Sequence, residues 1–94
     1  MNSHGRLVLR VSGEIDVETA PWLQRWLDSL GTTGHLSVDL AEVDFMDSSG
    51  LVVLLQHLVR MRDAGGSLVI NEASATVRRL FEMCCLDHLL TDGS

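Results

Sequence analysis

The feature that most constrains this chain is the regular alternation of two hydrophobic periods along it. Leu7, Leu9 and Val11 alternate with Val8 and Arg10, which is the period of a strand, and Ser12-Gly13 follows as a stop. Trp22, Leu23, Trp26, Leu27 and Leu30 then recur at helical spacing between Thr19-Ala20-Pro21 and Gly31. The strand period returns at Leu36, Val38 and Leu40, and the chain runs through Asp44-Phe45-Met46 into a turn at Asp47-Ser48-Ser49-Gly50. From Leu51 to about Arg62 the spacing predicts the longest helix, with Leu51, Leu54, Leu55, Leu58 and Val59 on one buried stripe and Ala64-Gly65-Gly66 closing it. Ser67 to Ile70 is a third strand, and Ser74 caps a last helix whose Val77, Leu80, Phe81 and Cys84 share a face.

Strand and helix thus alternate three times, and parallel strands need such crossovers. The expected fold class is α/β, a small mixed β-sheet with helices packed mainly on one face. At 94 residues a division into two units would starve both of core, so one domain, 1–94 with its core about 7–90, is expected.

Charge narrows the partners. Seven Lys and Arg stand against 13 Asp and Glu, a net charge of -6, and no basic run occurs, which disfavours nucleic acid and anionic membrane surfaces. The longest apolar run, Leu51 to Leu55, is far short of the roughly 20 residues of a membrane-spanning helix, and no signal-peptide pattern opens the chain. Cys84 and Cys85 are adjacent, a poor geometry for pairing with each other, so they read as reduced thiols of a cytoplasmic protein. Neither CxxC nor HxxxH spacing occurs and no Walker A sequence is present, so no metal and no cofactor is expected.

The stretch that carries chemistry is Val43 to Leu51, which sets a carboxylate and two hydroxyls at a strand-to-helix junction. Helix N-termini present unpartnered amides and positive potential, so Ser48 or Ser49 is expected to cap the helix. Use of Ser48 as a nucleophile is disfavoured. A nucleophile elbow needs glycine two residues earlier, where Met46 stands, and His57 lies more than two helical turns away. No catalytic residue is assigned, and the chain reads as a non-enzyme.

Phe45-Met46-Asp47-Ser48-Ser49-Gly50-Leu51 resembles the phosphorylation segment of bacterial anti-sigma-factor antagonists, the STAS-domain proteins of partner-switching systems. Ser12-Gly13-Glu14-Ile15-Asp16, Gly65-Gly66-Ser67-Leu68 and Val77-Arg78-Arg79-Leu80-Phe81-Glu82-Met83 agree with it, so the resemblance runs from about Leu7 to Leu90. It implies a chain that, unmodified, binds an anti-sigma factor that is also a serine kinase and frees the sigma factor. Phosphorylation at Ser48 then causes release, and a phosphatase is the counterpart such a switch allows. Carried over, the partner-binding residues are Asp47, Ser48, Ser49 and Gly50, the last leaving room for another backbone, with Glu14 and Asp16 as further members of the surface. The chain departs from the family at Cys85 and Val52, where relatives commonly carry glycine, and in its short stretch after Leu90, which predicts a reduced final helix. A non-glycine residue in a left-handed position at Cys85 costs about 1 kcal/mol.

The alternative within the same resemblance is an accessory subunit docking on the ATPase of an ABC-type lipid transporter; Phe45-Met46 and the Arg-Leu-Phe-Glu-Met helix favour the antagonist. Trp22 and Trp26, four apart on one helix face, are expected in the core. The oligomeric state is left open.

Overall fold

The computed structural model describes residues 6–90. Three strands and three helices alternate: β1 (Arg6–Ile15), α1 (Ala20–Leu30), β2 (His35–Met46), α2 (Ser48–Asp63), β3 (Ser67–Ala73) and α3 (Ala75–Met83), followed by a short 3-10 turn over Asp87–Leu89. The sheet order is β1-β2-β3. Both pairings are parallel, and Leu90 adds a parallel bridge to Ile70. An antiparallel member of the expected mixed sheet is not among the described strands, and the short tail expected after Leu90 lies outside the described residues.

Each strand sends its aliphatic row into one core. Val11, Ile15, Leu36, Val38, Leu40, Leu68 and Ile70 are buried there with Leu23 and Leu27 of α1, Leu51 and Leu54 of α2, and Val77 and Phe81 of α3. Between them Val8 and Arg10 point to solvent, and Arg10 reaches Asp39 on the neighbouring strand at 3.8 Å. That pair is exposed on the Arg10 side and adds little stability.

The first strand overruns its expected end, whereas the second leads directly into the turn at Asp47, as expected. Ser12-Gly13 does not stop β1; instead the ladder slips between Arg10 and Ser12 and again between Gly13 and Glu14. Gly13 supplies the positive φ of 87° that the irregular ladder uses. β2 runs without a break through Leu40 to Met46. These bulges decide which residues face the core near the sheet's end, because each extra residue reverses the in-out parity. Gly13 pairs with Val43 and Glu14 with Phe45, so Asp44 is skipped. Val43 and Met46 are therefore both buried, while Phe45 turns outward.

Three helix details correct the expectation from spacing. In α2 the buried set is Gly50, Leu51, Val53, Leu54, His57 and Met61, so the core face is rotated from the expected stripe. Leu54 is buried, Leu55 and Leu58 are half-buried, and Val59 is exposed. His57 takes a core position because its Nε2 donates to the carbonyl of Gly31 at 3.1 Å, tying α2 to the end of α1. Trp22 and Trp26 are not core residues. They stack on the outside of α1, ring centroids 4.2 Å apart, at 49% and 39% exposure, since Leu23 and Leu27 already fill the inward face. Cys84 is exposed rather than sharing the buried face of α3, because the helix ends at Met83.

The end of α3 is a glycine-type stop made without glycine. The Leu86 amide bonds the carbonyl of Phe81 at 2.7 Å and the Cys85 amide that of Glu82 at 3.0 Å. Such a paired closure needs a left-handed residue between them, and Cys85 takes it at φ 59°.

Candidate functional site

The C-terminal ends of β1 and β2 meet where Ile15 pairs with Met46, and the Asp47 amide donates to the Ile15 carbonyl at 3.1 Å. Open parallel sheets place their sites at this end of the strands. Here it brings together two turns that lie far apart in sequence, Asp16–Thr19 and Asp47–Gly50.

In the second turn Asp47, and neither serine, is the cap of α2. Its backbone is extended (φ -109°, ψ -173°), and its carboxylate accepts the Ser49 amide at 2.9 Å. An anionic cap suits the positive end of the helix better than a hydroxyl does. Ser48 is the first helical residue and is exposed, and Ser49 is half-buried. Gly50 is buried, and what fills the space beside it is the chain's own Ile15 side chain, so this glycine serves internal packing.

In the first turn Asp16 is an organiser. Its Oδ1 accepts the amides of Glu18 at 2.9 Å and Thr19 at 3.1 Å, while its carbonyl accepts the Ala20 amide at 2.8 Å. The Thr19 hydroxyl donates to the Glu14 carbonyl at 3.0 Å and accepts from the Asp16 amide at 2.9 Å. The Thr19 amide, foremost, then the Glu18 amide and the Thr19 hydroxyl hold the Asp16 carboxyl below its ordinary range against partial desolvation. Glu14, paired with Phe45 across the ladder, leaves its own side chain in solvent.

Large apolar side chains surround this end of the sheet: Val17 at 70% exposure in the first turn, Phe45 at 46% just before the second, and Val52 at 47% one helical turn beyond Ser48. Sequence periodicity misses Phe45, because only the bulge at Asp44 turns it out. Val17 carried a usable signal, an aliphatic residue inside an otherwise polar turn.

The arrangement suits binding better than group transfer. His57 is buried on the side of α2 opposite Ser48 and bonded to Gly31, so it cannot serve Ser48 as a base. Among the described residues no group of three or more His, Cys, Asp or Glu is placed to hold a metal ion, and no helix is long and apolar enough to cross a membrane.

Comparison with known proteins agrees on one family. A family model described as "STAS domain" matches residues 2–92. The anti-sigma-B factor antagonist of Bacillus subtilis (strain 168) is 35% identical over 83 residues, covering 87% of this chain and 76% of the relative. The anti-sigma F factor antagonist of Paenibacillus polymyxa is 32% identical over 89 residues, covering 92% of this chain and 76% of its own. Among solved structures, an anti-sigma factor antagonist from Mycobacterium paratuberculosis superposes with a TM-score of 0.81 at 28% identity, covering 96% of this chain and 78% of that one. The unphosphorylated anti-sigma factor antagonist SpoIIAA, at 23% identity, shares the fold with a TM-score of 0.81, covering 100% of this chain and 84% of its own.

Proposed function

This chain belongs to the STAS domain family, and we propose that it is a cytoplasmic anti-sigma-factor antagonist switched by phosphorylation at Ser48. Unmodified, it binds a cognate anti-sigma factor that is also a serine kinase and frees the sigma factor; phosphorylated at Ser48, it lets the anti-sigma factor go, and a phosphatase resets it.

One observation carries this reading. The cap of α2 is supplied by Asp47, so the Ser48 hydroxyl stands exposed at the first helical position without the capping duty. A modification there leaves the fold intact. A phosphate adds about -1.5 to -2 charge, and a helix N-terminus accommodates it locally. The same charge is set among Val17, Phe45 and Val52, an apolar surface whose docking it opposes. Asp47 and Ser49 hold this segment in place, Glu14 adds an exposed carboxylate beside it, and Asp16 shapes the adjoining turn. The names of the relatives point to the same class of partner.

The test is incubation of the purified chain with its cognate anti-sigma kinase and ATP, with mass spectrometry of the phosphosite and sedimentation of the mixture before and after. A complex that forms first and dissociates as phosphate accumulates on Ser48 is the expected result. Phosphate on Ser49 alone, or a complex indifferent to the modification, overturns the proposal.

A further inference from the structure

Helix α2 carries a second apolar row on the side away from its core face. At about 100° per residue, Val52, Leu55, Val59 and Arg62 all fall within about 40° of Ser48 around the helix axis, while Val53, Leu54, His57 and Met61 lie on the far half. Burial agrees, with the second group in the core and Val52 and Val59 at 47% and 49% exposure. Leu55 and Val59, with Gln56 and Arg60, line an open cleft of about 450 Å³. The core face of α2 is taken by α1, β2 and β3, with Leu55 half-buried at its margin, and Val52 and Val59 are left about half exposed on the outer side.

We propose that another copy of this chain covers that outer side, paired through α2 in antiparallel, two-fold fashion about Leu55. Ser48, Leu55 and Arg62 are spaced seven and seven residues apart. A two-fold axis at Leu55 therefore sets Leu55 on its own counterpart and Val52 against Leu58 of the second copy. It also brings Arg62 of each copy beside Asp47-Ser48 of the other, so each end pairs a cation with an anion. Arg62 is exposed, whereas Arg60 is held by Asp28 at 3.1 Å. Antiparallel helices also oppose their dipoles, the basic last turn of one meeting the capped first turn of the other.

This pairing covers Ser48, so a second copy and an anti-sigma factor exclude each other there. Phosphate on Ser48 meets the second copy's Arg62 in a charge-assisted bond and favours the pair. That coupling rests on the phosphorylation reading; the pairing itself does not.

Sedimentation equilibrium of the full chain tests it. The unmodified protein should show a reversible dimer that Ser48→Glu tightens. Val59→Glu should give a monomer with an unchanged thermal melt. Arg62→Glu should weaken the dimer by about tenfold or more at low salt. Ser48→Arg added to Arg62→Glu should restore it, because the swapped charges meet again only in the antiparallel register. A protein monomeric at millimolar concentration, a dimer that survives Val59→Glu, or an Arg62→Glu defect that Ser48→Arg does not rescue overturns the proposal. A monomeric wild type whose kinase binding is lost in Val59→Glu also overturns it and gives the row to that partner. Absence of phosphate on Ser48 in a protein that still dimerises sinks the switch and leaves the pairing standing.

Discussion

The Cγ2 methyl of Ile15 stands 2.5 Å from where a Cβ on residue 50 would lie, so the last core residue of β1 holds the third residue of α2 to glycine. The Cγ of Met46 closes the same space at 3.1 Å. Helix propensity favours alanine over glycine by about 1 kcal/mol, but overpacking a filled core costs about 1–3 kcal/mol. Gly50→Ala should therefore lower stability by up to about 2 kcal/mol in denaturant melts. In an Ile15→Ala background the same substitution should be neutral or stabilising. Additive effects in this double-mutant cycle would show that the two residues do not share the space.

The cap of α2 gives a second contrast. Asp47→Ala removes both the acceptor for the Ser49 amide and a charge at the helix start, and should cost about 1 kcal/mol. Ser48→Ala removes an exposed hydroxyl and should cost no more than a few tenths of that. Equal losses for the two variants in thermal melts would return the capping role to Ser48.

Cys85 holds φ at 59° because the paired closure of α3 needs a left-handed residue there. Its side chain is exposed, so no packing opposes replacement. Relief of the strain, about 1 kcal/mol, is offset by glycine's greater freedom in the unfolded chain. Cys85→Gly should be neutral to about 1 kcal/mol stabilising, and a clear loss of stability in denaturant melts would mean that the sulfur packs.

The strain at residue 85 was legible in the sequence only through the family resemblance, as was Ser48. The element order was legible from periodicity, because each apolar row answers to local geometry. The face of α2 was not. Rows at 51, 54, 58 and at 50, 53, 54, 57, 61 are both helical, and the choice between them is made by contacts from β1 and by the His57 bond to Gly31. Phe45 was hidden for a related reason, since a skipped residue in a parallel ladder leaves no mark on the strand that carries it. Trp22 and Trp26 misled because size suggests burial, whereas Leu23 and Leu27 already occupy the inward face of α1.

Asp16 gives a pH dependence whose sign follows from its surroundings. Amides of Thr19 and Glu18 and the Thr19 hydroxyl stabilise its charged form, so its folded pKa lies below the ordinary 3.8. The stability it contributes is present above that value and is lost as pH falls through the folded pKa. Asp16→Asn keeps an acceptor oxygen and removes the charge. The gap in melting temperature between wild type and Asp16→Asn should be full at neutral pH and close progressively below pH 3.8. A gap that stays constant across that window would place the contribution of Asp16 in its geometry alone.

Ser48 separates structural from regulatory roles most sharply, because fold and binding respond to it differently. Ser48→Ala should melt within a few tenths of a kcal/mol of wild type, since Asp47 keeps the cap, and should bind the anti-sigma kinase while resisting its phosphorylation. Ser48→Glu should also fold, as an anion in the first helical turn is favourable by about 0.3–1 kcal/mol. Its binding to the kinase should nonetheless fall by at least about tenfold, because the charge is presented among Val17, Phe45 and Val52. Phe45→Ala, which leaves Ser48 and the cap untouched, should weaken the unmodified complex without altering the melt by more than about 0.5 kcal/mol, as befits an exposed side chain. Titration calorimetry of the three variants against the kinase decides the matter. If Ser48→Glu binds as tightly as wild type, the charge is not what the partner reads at this helix end, and the switch assignment fails while the fold stands.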